Sequence, residues 1–136
     1  MKTLYLVAIW FVLLRAHPTE IPEPSKSTLE YFAACVEAEA GNQGLYGKQL
    51  VASVILNRVD SNKFPDNIDD VINQPGAFSV VSSGRINRVK VTEESRKAVR
   101  LTIKERANYE ILYFRTKHYH SWCTPCFKYK KHYFGK

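Results

Sequence analysis

Apolar residues between positions 29 and 40 recur with the period of an α-helix. Those that follow the i, i+3, i+4, i+7 spacing, and so share one buried face, are Leu29, Phe32, Ala33, Val36 and Ala40. The pattern predicts a first helix over residues 28–40. Ser27 or Thr28 is placed to cap its start and Gly41 to end it.

The same periodicity predicts three further helices. The second covers residues 45–60, and a short third covers residues 67–73 with Asn67 as its cap. The last covers residues 93–106 and has Thr92 as its cap. The residues expected to face inward are Leu50, Val51, Val54, Ile55 and Arg58 in the second helix, and Ala98, Val99 and Ile103 in the last.

Two short apolar segments, 77–81 and 86–91, flank a turn-forming sequence at 82–85. They predict a small β-hairpin. Residues 109–115 are aromatic and prone to form a strand. Helices and a small hairpin together predict a mostly helical α+β fold in a single domain.

The first 16 residues have the pattern of an export signal. Lys2 supplies a positive start, and residues 4–14 form an apolar run that is too short for an ordinary membrane span of about 20 residues. The cleavage site at 14–16 is poor, so a cleaved signal peptide and an uncleaved signal anchor in contact with the membrane both stay open. Residues 17–27 hold three prolines and predict a linker.

Positive charge is concentrated towards the C-terminus. Residues 1–90 carry nine Lys and Arg against nine Asp and Glu, whereas residues 91–136 carry eleven against four, so the whole net charge of +7 lies there. A basic region of this kind favours a polyanionic partner, although a solvated face that keeps the protein soluble is an equal alternative. Aromatic and basic residues interleaved over 117–131 also fit nucleic acid, but the export signal argues against that partner.

Glu39 is the candidate for acid–base chemistry, because it lies in the last turn of the first helix on the flank of the buried face. Burial and the negative end of the helix dipole both disfavour its charged form and raise its pKa. A general acid that works near neutral pH requires such a shift. Glu37 lies about 200° round the helix, so we expect it to point towards water. The alternative is that Glu39 is an ordinary surface residue at a helix end.

Asn57 and Arg58 are polar residues within an otherwise apolar helix. We expect them to form a buried structural pair that bonds to loop carbonyls, in preference to a contact with substrate.

More specific information comes from an ordered series of motifs. They are Glu39-Ala40-Gly41-Asn42-Gln43, Gly47, residues 51–59 (VASVILNRV), Phe64-Pro65, Val71-Ile72, residues 74–79 (QPGAFS) and residues 131–134 (KHYF). In order and spacing these motifs resemble the spore cortex-lytic enzyme family of bacterial and phage cell-wall hydrolases, over about residues 29–134. The chain departs from the family at Gln43, where many relatives carry a second acid, and in its Cys-, His- and Tyr-rich C-terminal region.

The resemblance implies a lysozyme-like or lytic-transglycosylase-like fold, with residues 28–136 as the catalytic domain and Glu39 as the catalytic acid. The residues predicted to bind substrate are Gln43, Phe78, Ser79, Tyr113 and His132. Phe78 and Tyr113 have core packing as an equal alternative. The resemblance implies peptidoglycan as the substrate and no metal or other cofactor. We therefore expect an exported monomer, or a phage lysis protein, that acts on the wall and its anionic polymers and not on nucleic acid.

The carboxylates bear on the type of reaction. A common glycosidase needs two of them, and the sequence offers no convincing partner for Glu39. A single acid fits a lytic transglycosylase, in which one glutamate protonates the glycosidic oxygen and then takes the proton from the sugar's own C6 hydroxyl. The family resemblance implies that the bond concerned joins N-acetylmuramic acid to N-acetylglucosamine. Its hydrolysis stays open if an aspartate takes part.

A C-x-x-C pair, Cys123 and Cys126, lies close in sequence to His118, His120 and His132. Two Cys and two His can bind zinc, but the spacing is tighter than in the usual zinc finger. For an exported chain we favour a disulfide or free thiols. Two other functions stay open: a zinc-dependent N-acetylmuramoyl-L-alanine amidase, and a non-catalytic wall-binding module built on the basic tail.

Overall fold

The computed structural model describes residues 22–106 and 110–136. This part of the chain forms helices α1 (Lys26–Ala40), α2 (Gly44–Asp60), α3 (Ile68–Asn73), α4 (Ser79–Ser82) and α5 (Glu93–Glu105), a 3-10 turn (Arg85–Asn87), and strands β1 (Tyr113–Thr116), β2 (Pro125–Tyr129) and β3 (His132–Gly135). The predicted export signal lies outside the described residues, as does part of the predicted linker; residues 22–25 have no regular secondary structure. No helix within the described ranges is long and apolar enough to cross a membrane.

Helix α1 is packed against several other elements. It contacts the other four helices and the 3-10 turn, and every residue from 32 to 36 is buried. The predicted end at Ala40 is confirmed. The predicted N-cap was wrong, because Ser25 caps the helix and its hydroxyl accepts a hydrogen bond from the backbone N–H of Thr28 at 3.1 Å. With neighbours on several sides, α1 buries more than the one face that its periodicity predicts.

Helices α2, α3 and α5 begin and end within one residue of the predicted bounds. The caps are also confirmed. The side chain of Asn67 accepts from the backbone N–H of Asp70 at 2.9 Å, and that of Thr92 accepts from the N–H of Ser95 at 3.2 Å. Each cap satisfies an N–H that no helical carbonyl can reach.

The hairpin predicted over residues 77–91 was wrong. This segment forms α4 and the 3-10 turn, joined through Gly84, whose φ of 69° is a left-handed conformation that favours glycine. Val80 and Ile86 are buried, and both short helical elements contact α1. A short apolar run does not distinguish a strand from a buried helical turn, and here the contact with α1 decides.

A hairpin is formed instead by β2 and β3, towards the C-terminus. Strand β3 lies between β1 and β2, and both pairings are antiparallel. His132 of β3 is paired with Thr116 of β1 on one side and with Tyr129 of β2 on the other. The predicted class, a mostly helical α+β fold with a small hairpin, is confirmed, although the hairpin lies elsewhere in the chain.

The sheet is attached to the helices by apolar packing and by two hydrogen bonds from α2. The small apolar cluster that joins α2 to the sheet comprises Leu50, Val54, Ile111 and Phe134. Asn57 Nδ2 donates to the carbonyl of Ile111 at 2.9 Å, and Arg58 Nε donates to that of Leu112 at 2.8 Å. The expected bonds to loop carbonyls are therefore confirmed, although of the two residues only Arg58 is buried. The pair fixes the chain that leads into β1.

Candidate active site

Glu39 lines a cleft of about 520 Å³ between the helices and the sheet. The residues that line it are Glu39, Arg58, Phe64, the segments 74–79 and 113–116, His120, Trp122 and His132. Five of the six residues predicted from the sequence lie here: Glu39, Phe78, Ser79, Tyr113 and His132. Within the described part of the chain, Glu39 is the sole carboxylate in this lining.

The environment of Glu39 favours its protonated form. Burial raises the pKa of Glu39 to about 7, while the positive charges of Arg85 and Arg58 pull it in the opposite direction. The direction of the shift agrees with the position of Glu39 in the last turn of α1. A carboxyl group with this pKa can both donate and accept a proton near neutral pH.

Arg58 is held among aromatic rings on the floor of the cleft. Its guanidinium carbon lies 5.1 Å from the ring centre of Phe64, 5.2 Å from that of Phe78 and 5.6 Å from that of Tyr113. These cation–π contacts and the bond to the Leu112 carbonyl hold a buried charge at a fixed place. Arg58 thus serves the structure, as expected, and also supplies positive charge to the cleft.

Three aromatic side chains form one wall. The Trp122 ring stacks on His120 at 4.6 Å, and Tyr113 meets Trp122 edge-on at 4.6 Å. Trp122 remains 64% exposed. An exposed, fixed indole at a cleft rim offers a flat apolar face to a ligand.

His132 and Phe78 both lie next to the ring of Phe114. The ring of Phe114 lies 5.0 Å from that of His132 and 6.3 Å from that of Phe78. Burial, followed by the charge of Lys131, lowers the pKa of His132, so its imidazole is neutral near pH 7. Phe78 belongs to the buried core and also lines the cleft, so its core packing is confirmed and its contact with a sugar ring stays a prediction.

Gln43 is buried but is not part of the cleft lining. Its backbone carbonyl accepts from Lys130 Nζ at 2.9 Å, and its side-chain oxygen accepts from the Lys131 N–H at 3.4 Å. Gln43 therefore connects the corner between α1 and α2 to the β2–β3 turn.

The prediction that Glu37 points towards water was wrong. Its carboxylate accepts from Lys48 Nζ at 3.1 Å, from the Thr92 hydroxyl at 2.7 Å and from the Ser95 hydroxyl. Burial raises the pKa of Glu37, but the hydrogen bonds from Ser95, Thr92 and Lys48 outweigh it and hold the pKa below its usual value. Because α1 is packed on several sides, the face opposite the predicted one also meets a neighbour.

The cysteines and histidines of the C-terminal region do not converge. Cys123 and Cys126 carry free thiols, and Cys123 Sγ lies 3.4 Å from the carbonyl of His120. Across residues 22–106 and 110–136, no three His, Cys, Asp or Glu side chains are grouped so that they could hold a metal ion.

Sequence reasoning did not single out three residues near Glu39. Arg85 was placed in the turn of a hairpin that does not form. His120 was considered only as a metal ligand, and Trp122 only as part of a basic aromatic tail. The order of aromatic residues in that tail indicated a binding surface, but nothing in it indicated that the surface faces Glu39.

The chain belongs to the family described as Cell Wall Hydrolase, whose model matches residues 42–135. The match begins just after Glu39 and includes the other five predicted site residues. All residues that line the cleft, except Glu39, therefore lie within the matched region.

Spore cortex-lytic enzymes are among the relatives of this chain. That of Halalkalibacterium halodurans is 40% identical over 75 residues, which are 55% of this chain and 22% of that enzyme. That of Bacillus cereus is 37% identical over 82 residues, 60% of this chain and 31% of the enzyme. The chain therefore spans less than a third of the length of these relatives.

Solved structures share the fold. The catalytic domain of the Bacillus cereus SleB protein superposes with a TM-score of 0.74 at 30% identity, covering 89% of this chain and 99% of that domain. The catalytic domain of the germination-specific lytic transglycosylase SleB from Bacillus anthracis gives a TM-score of 0.73 at 30% identity, covering 85% and 98%. The chain thus has the fold of the SleB catalytic domain.

Proposed function

We propose that this protein cuts the glycan strands of peptidoglycan between N-acetylmuramic acid and N-acetylglucosamine, as a lytic transglycosylase with Glu39 as its acid and base. One observation carries the proposal: Glu39 is the sole carboxylate among the described residues of the cleft, and its pKa is raised to about 7. A glycosidase that activates water or forms a glycosyl ester needs a second carboxylate, whereas a transglycosylase does not.

The reaction needs two proton transfers through the same group. Protonated Glu39 gives its proton to the glycosidic oxygen as the bond from that oxygen to C1 of the muramic residue breaks. The resulting carboxylate then takes the proton of the C6 hydroxyl of the same residue, and O6 bonds to C1. The products are a 1,6-anhydromuramic end and a free 4-hydroxyl, Glu39 is protonated again, and no water is consumed.

The remaining cleft residues would bind and orient the strand. Tyr113 and Trp122 offer aromatic faces on which sugar rings can stack. The exposed Ser79 hydroxyl can form a hydrogen bond to an acetamido group, and neutral His132 can donate one and accept one. Gln43 acts at a distance, by holding the corner that follows α1.

A substrate in the wall requires the protein to leave the cytoplasm. The positive start at Lys2 and the apolar run 4–14 support export, with the signal either cleaved or kept as an anchor.

The test is digestion of purified peptidoglycan by the wild type and by Glu39→Gln, with the product ends identified by mass. Gln has nearly the same shape but cannot donate a proton to the leaving oxygen, so we expect binding to persist and turnover to fall by roughly 10²–10⁴-fold or more. Glu30→Gln is the matched control. It makes the same change on the same helix, at an exposed residue outside the cleft, and should keep its activity.

The product ends distinguish the alternatives. Anhydromuramic ends support transglycosylation, and reducing ends indicate hydrolysis of the same bond. Free stem peptides with intact glycan indicate an amidase. Full activity of Glu39→Gln would remove Glu39 from the mechanism.

A further inference from the structure

Glu39 also borders a second cavity. It has a volume of about 440 Å³, and Glu39 lines both this cavity and the cleft. Its other lining residues include Gly41 and Asn42, which follow α1, and Arg85 and Lys90, which come from the segment after α4. We call this cavity, defined by Glu39, Gly41, Asn42, Arg85 and Lys90, the basic pocket. Glu39 is therefore bordered by a cleft with aromatic side chains and by a pocket with cationic ones.

Among the described residues, the two cations of the basic pocket form no salt bridge. Neither Arg85 nor Lys90 takes part in any ion pair within the described part of the chain, and both are exposed. The carboxylate of Glu37, which also borders the pocket, is already bound to Lys48. The pocket thus keeps positive charge that a ligand can neutralise.

Arg85 is held in place by the backbone that carries it. The left-handed turn at Gly84 starts the 3-10 turn, the Arg85 N–H lies 3.4 Å from the Ser83 hydroxyl, and the next side chain, Ile86, is buried. Arg85 is also close enough to Glu39 for its charge to lower the pKa of that carboxyl group. The guanidinium therefore belongs to the surroundings of the proposed reaction and not to a remote surface.

We infer that the basic pocket binds a carboxylate carried by the muramic residue at the scissile bond, through Arg85 and Lys90. The inference rests on the proposed function, in which C1 of that residue reacts beside Glu39. The lactyl substituent of muramic acid ends either in a free carboxylate or in a stem peptide that carries carboxylates of its own. Guanidinium and ammonium groups bind carboxylates by charge-assisted hydrogen bonds, which are about twice as strong as neutral ones.

Binding of a carboxylate at Arg85 also favours the first proton transfer, from Glu39 to the glycosidic oxygen. A carboxylate on Arg85 offsets the positive charge that lowers the pKa of Glu39, so the acid is more fully protonated with substrate bound than without it. The other charged or titratable groups near Glu39 are Arg58 from α2 and the buried Cys35 thiol from α1. Neither takes part in the proposed ligand contact.

The experiment compares four soluble glycan strands as substrates. Two carry carboxylates: strands with stem peptides, and strands stripped of peptide and so bearing free lactyl carboxylates. The other two are the same strands with their carboxyls converted to amides. For the wild type we expect kcat/KM to be roughly tenfold to a hundredfold higher on carboxylate strands than on amide strands. Comparison of the first two strands tells which carboxylate, peptide or lactyl, is bound.

Arg85→Gln and Lys90→Gln should each reduce this preference, mainly through KM, and the double variant should abolish it. Arg88→Gln is the matched control: Arg88 lies on the same segment, donates to the Ser83 carbonyl and lines neither cavity, so it should keep the preference. An unchanged preference in the double variant, or none in the wild type, overturns this inference alone. No glycan cleavage by the wild type overturns the proposed function and this inference together.

Discussion

At the scale of single residues, the pKa of Glu39 predicts how the activity depends on pH. The first step requires the protonated acid, so kcat/KM should be highest below pH 7 and fall as the pH rises through about 7. In Arg85→Gln the loss of a nearby positive charge raises the pKa of Glu39, and the descending limb should move to higher pH. Initial rates at subsaturating substrate between pH 5 and 9 measure both effects. If the descending limb lies at the same pH in Arg85→Gln as in the wild type, the charge of Arg85 does not lower the pKa of Glu39.

The same pKa predicts how stability depends on pH. A carboxyl group whose pKa is raised by folding stabilises the protein below its unfolded pKa, and that stability is lost as the pH rises through the folded value of about 7. Gln does not ionise, so Glu39→Gln should increase the free energy of unfolding at pH 8 by on the order of 2 kcal/mol, and by much less at pH 5. Urea unfolding at the two pH values checks this. Glu30→Gln should show no such gain, and a gain that is equal at both pH values would count against the ionisation of Glu39.

Residue-level features were predictable where they depend on local sequence. The position of Glu39 in the last turn of a buried helix was enough to predict the direction of its pKa shift. Its two positive neighbours were not, because Arg85 comes from a segment whose secondary structure was misassigned and Arg58 was assigned to structure alone. Trp122 joins the cleft only through the folding of the loop between β1 and β2.

At the scale of secondary-structure elements, an ion network around one buried lysine joins three helices. Lys48 of α2 is 2% exposed and pairs with Glu37 of α1 at 3.1 Å and with Glu94 of α5 at 3.2 Å. Lys48 also donates to the hydroxyl of Thr92, the cap of α5, at 3.2 Å. Such a network costs desolvation, but removing one partner leaves a buried charge without compensation.

We therefore expect Glu37→Gln to reduce the free energy of unfolding by about 1–3 kcal/mol, since Glu94 remains as a partner of Lys48. Because folding lowers the pKa of Glu37, the stability that it contributes is present at neutral pH and is lost as the pH falls through its folded pKa. The loss in free energy of unfolding caused by Glu37→Gln should thus be smaller at acid pH. Chemical unfolding at pH 7 and pH 3 measures it, with Glu105→Gln as the control, since Glu105 is exposed on α5 and forms no salt bridge among the described residues. A Glu37→Gln protein as stable as the wild type at pH 7 would show that the network is not needed.

Helices were predicted well and the hairpin was not, for a physical reason. In the caps of α3 and α5, the capping side chain and the backbone N–H that it accepts from are only three residues apart in the sequence. The fate of segment 77–91 depends on its packing against α1, which lies some forty residues earlier in the chain. That long-range contact is invisible to periodicity.

At the scale of the whole molecule, the excess positive charge of residues 91–136 predicts adhesion to the anionic wall. Part of this charge is displayed on the hairpin, where Lys128 lies over the ring of Tyr133 at 5.1 Å and Lys130 over Tyr129 at 5.5 Å. Co-sedimentation of Glu39→Gln protein with purified sacculi should weaken as salt rises from about 0.05 M to 1 M. Lys128→Gln should lower the fraction of protein bound at low salt. Lys26→Gln removes a lysine from α1 instead, and it should lower that fraction less. Binding that is equal at both salt concentrations rules out steering by charge.

The cleft as a whole could be anticipated only in part. The motifs around Glu39, Phe78 and His132 are far apart in sequence, and at the level of sequence only their resemblance to a known family connects them. The aromatic wall and the basic pocket depend on the loops of this particular chain, whose paths no local rule predicts.

The order of the strands has a consequence for how the protein is made. Strand β3 lies between β1 and β2 yet is the last of the three in the chain, and its His132 follows Glu39 by 93 residues. As the chain emerges from the ribosome, the acid appears early, but the sheet that closes the cleft cannot pair until the final strand is free. Contacts over such sequence distances form late and slowly. We therefore expect the nascent chain to remain incompletely folded, and without a working cleft, until strand β3 has left the ribosome. An incompletely folded chain is the state in which a polypeptide can still be threaded across a membrane.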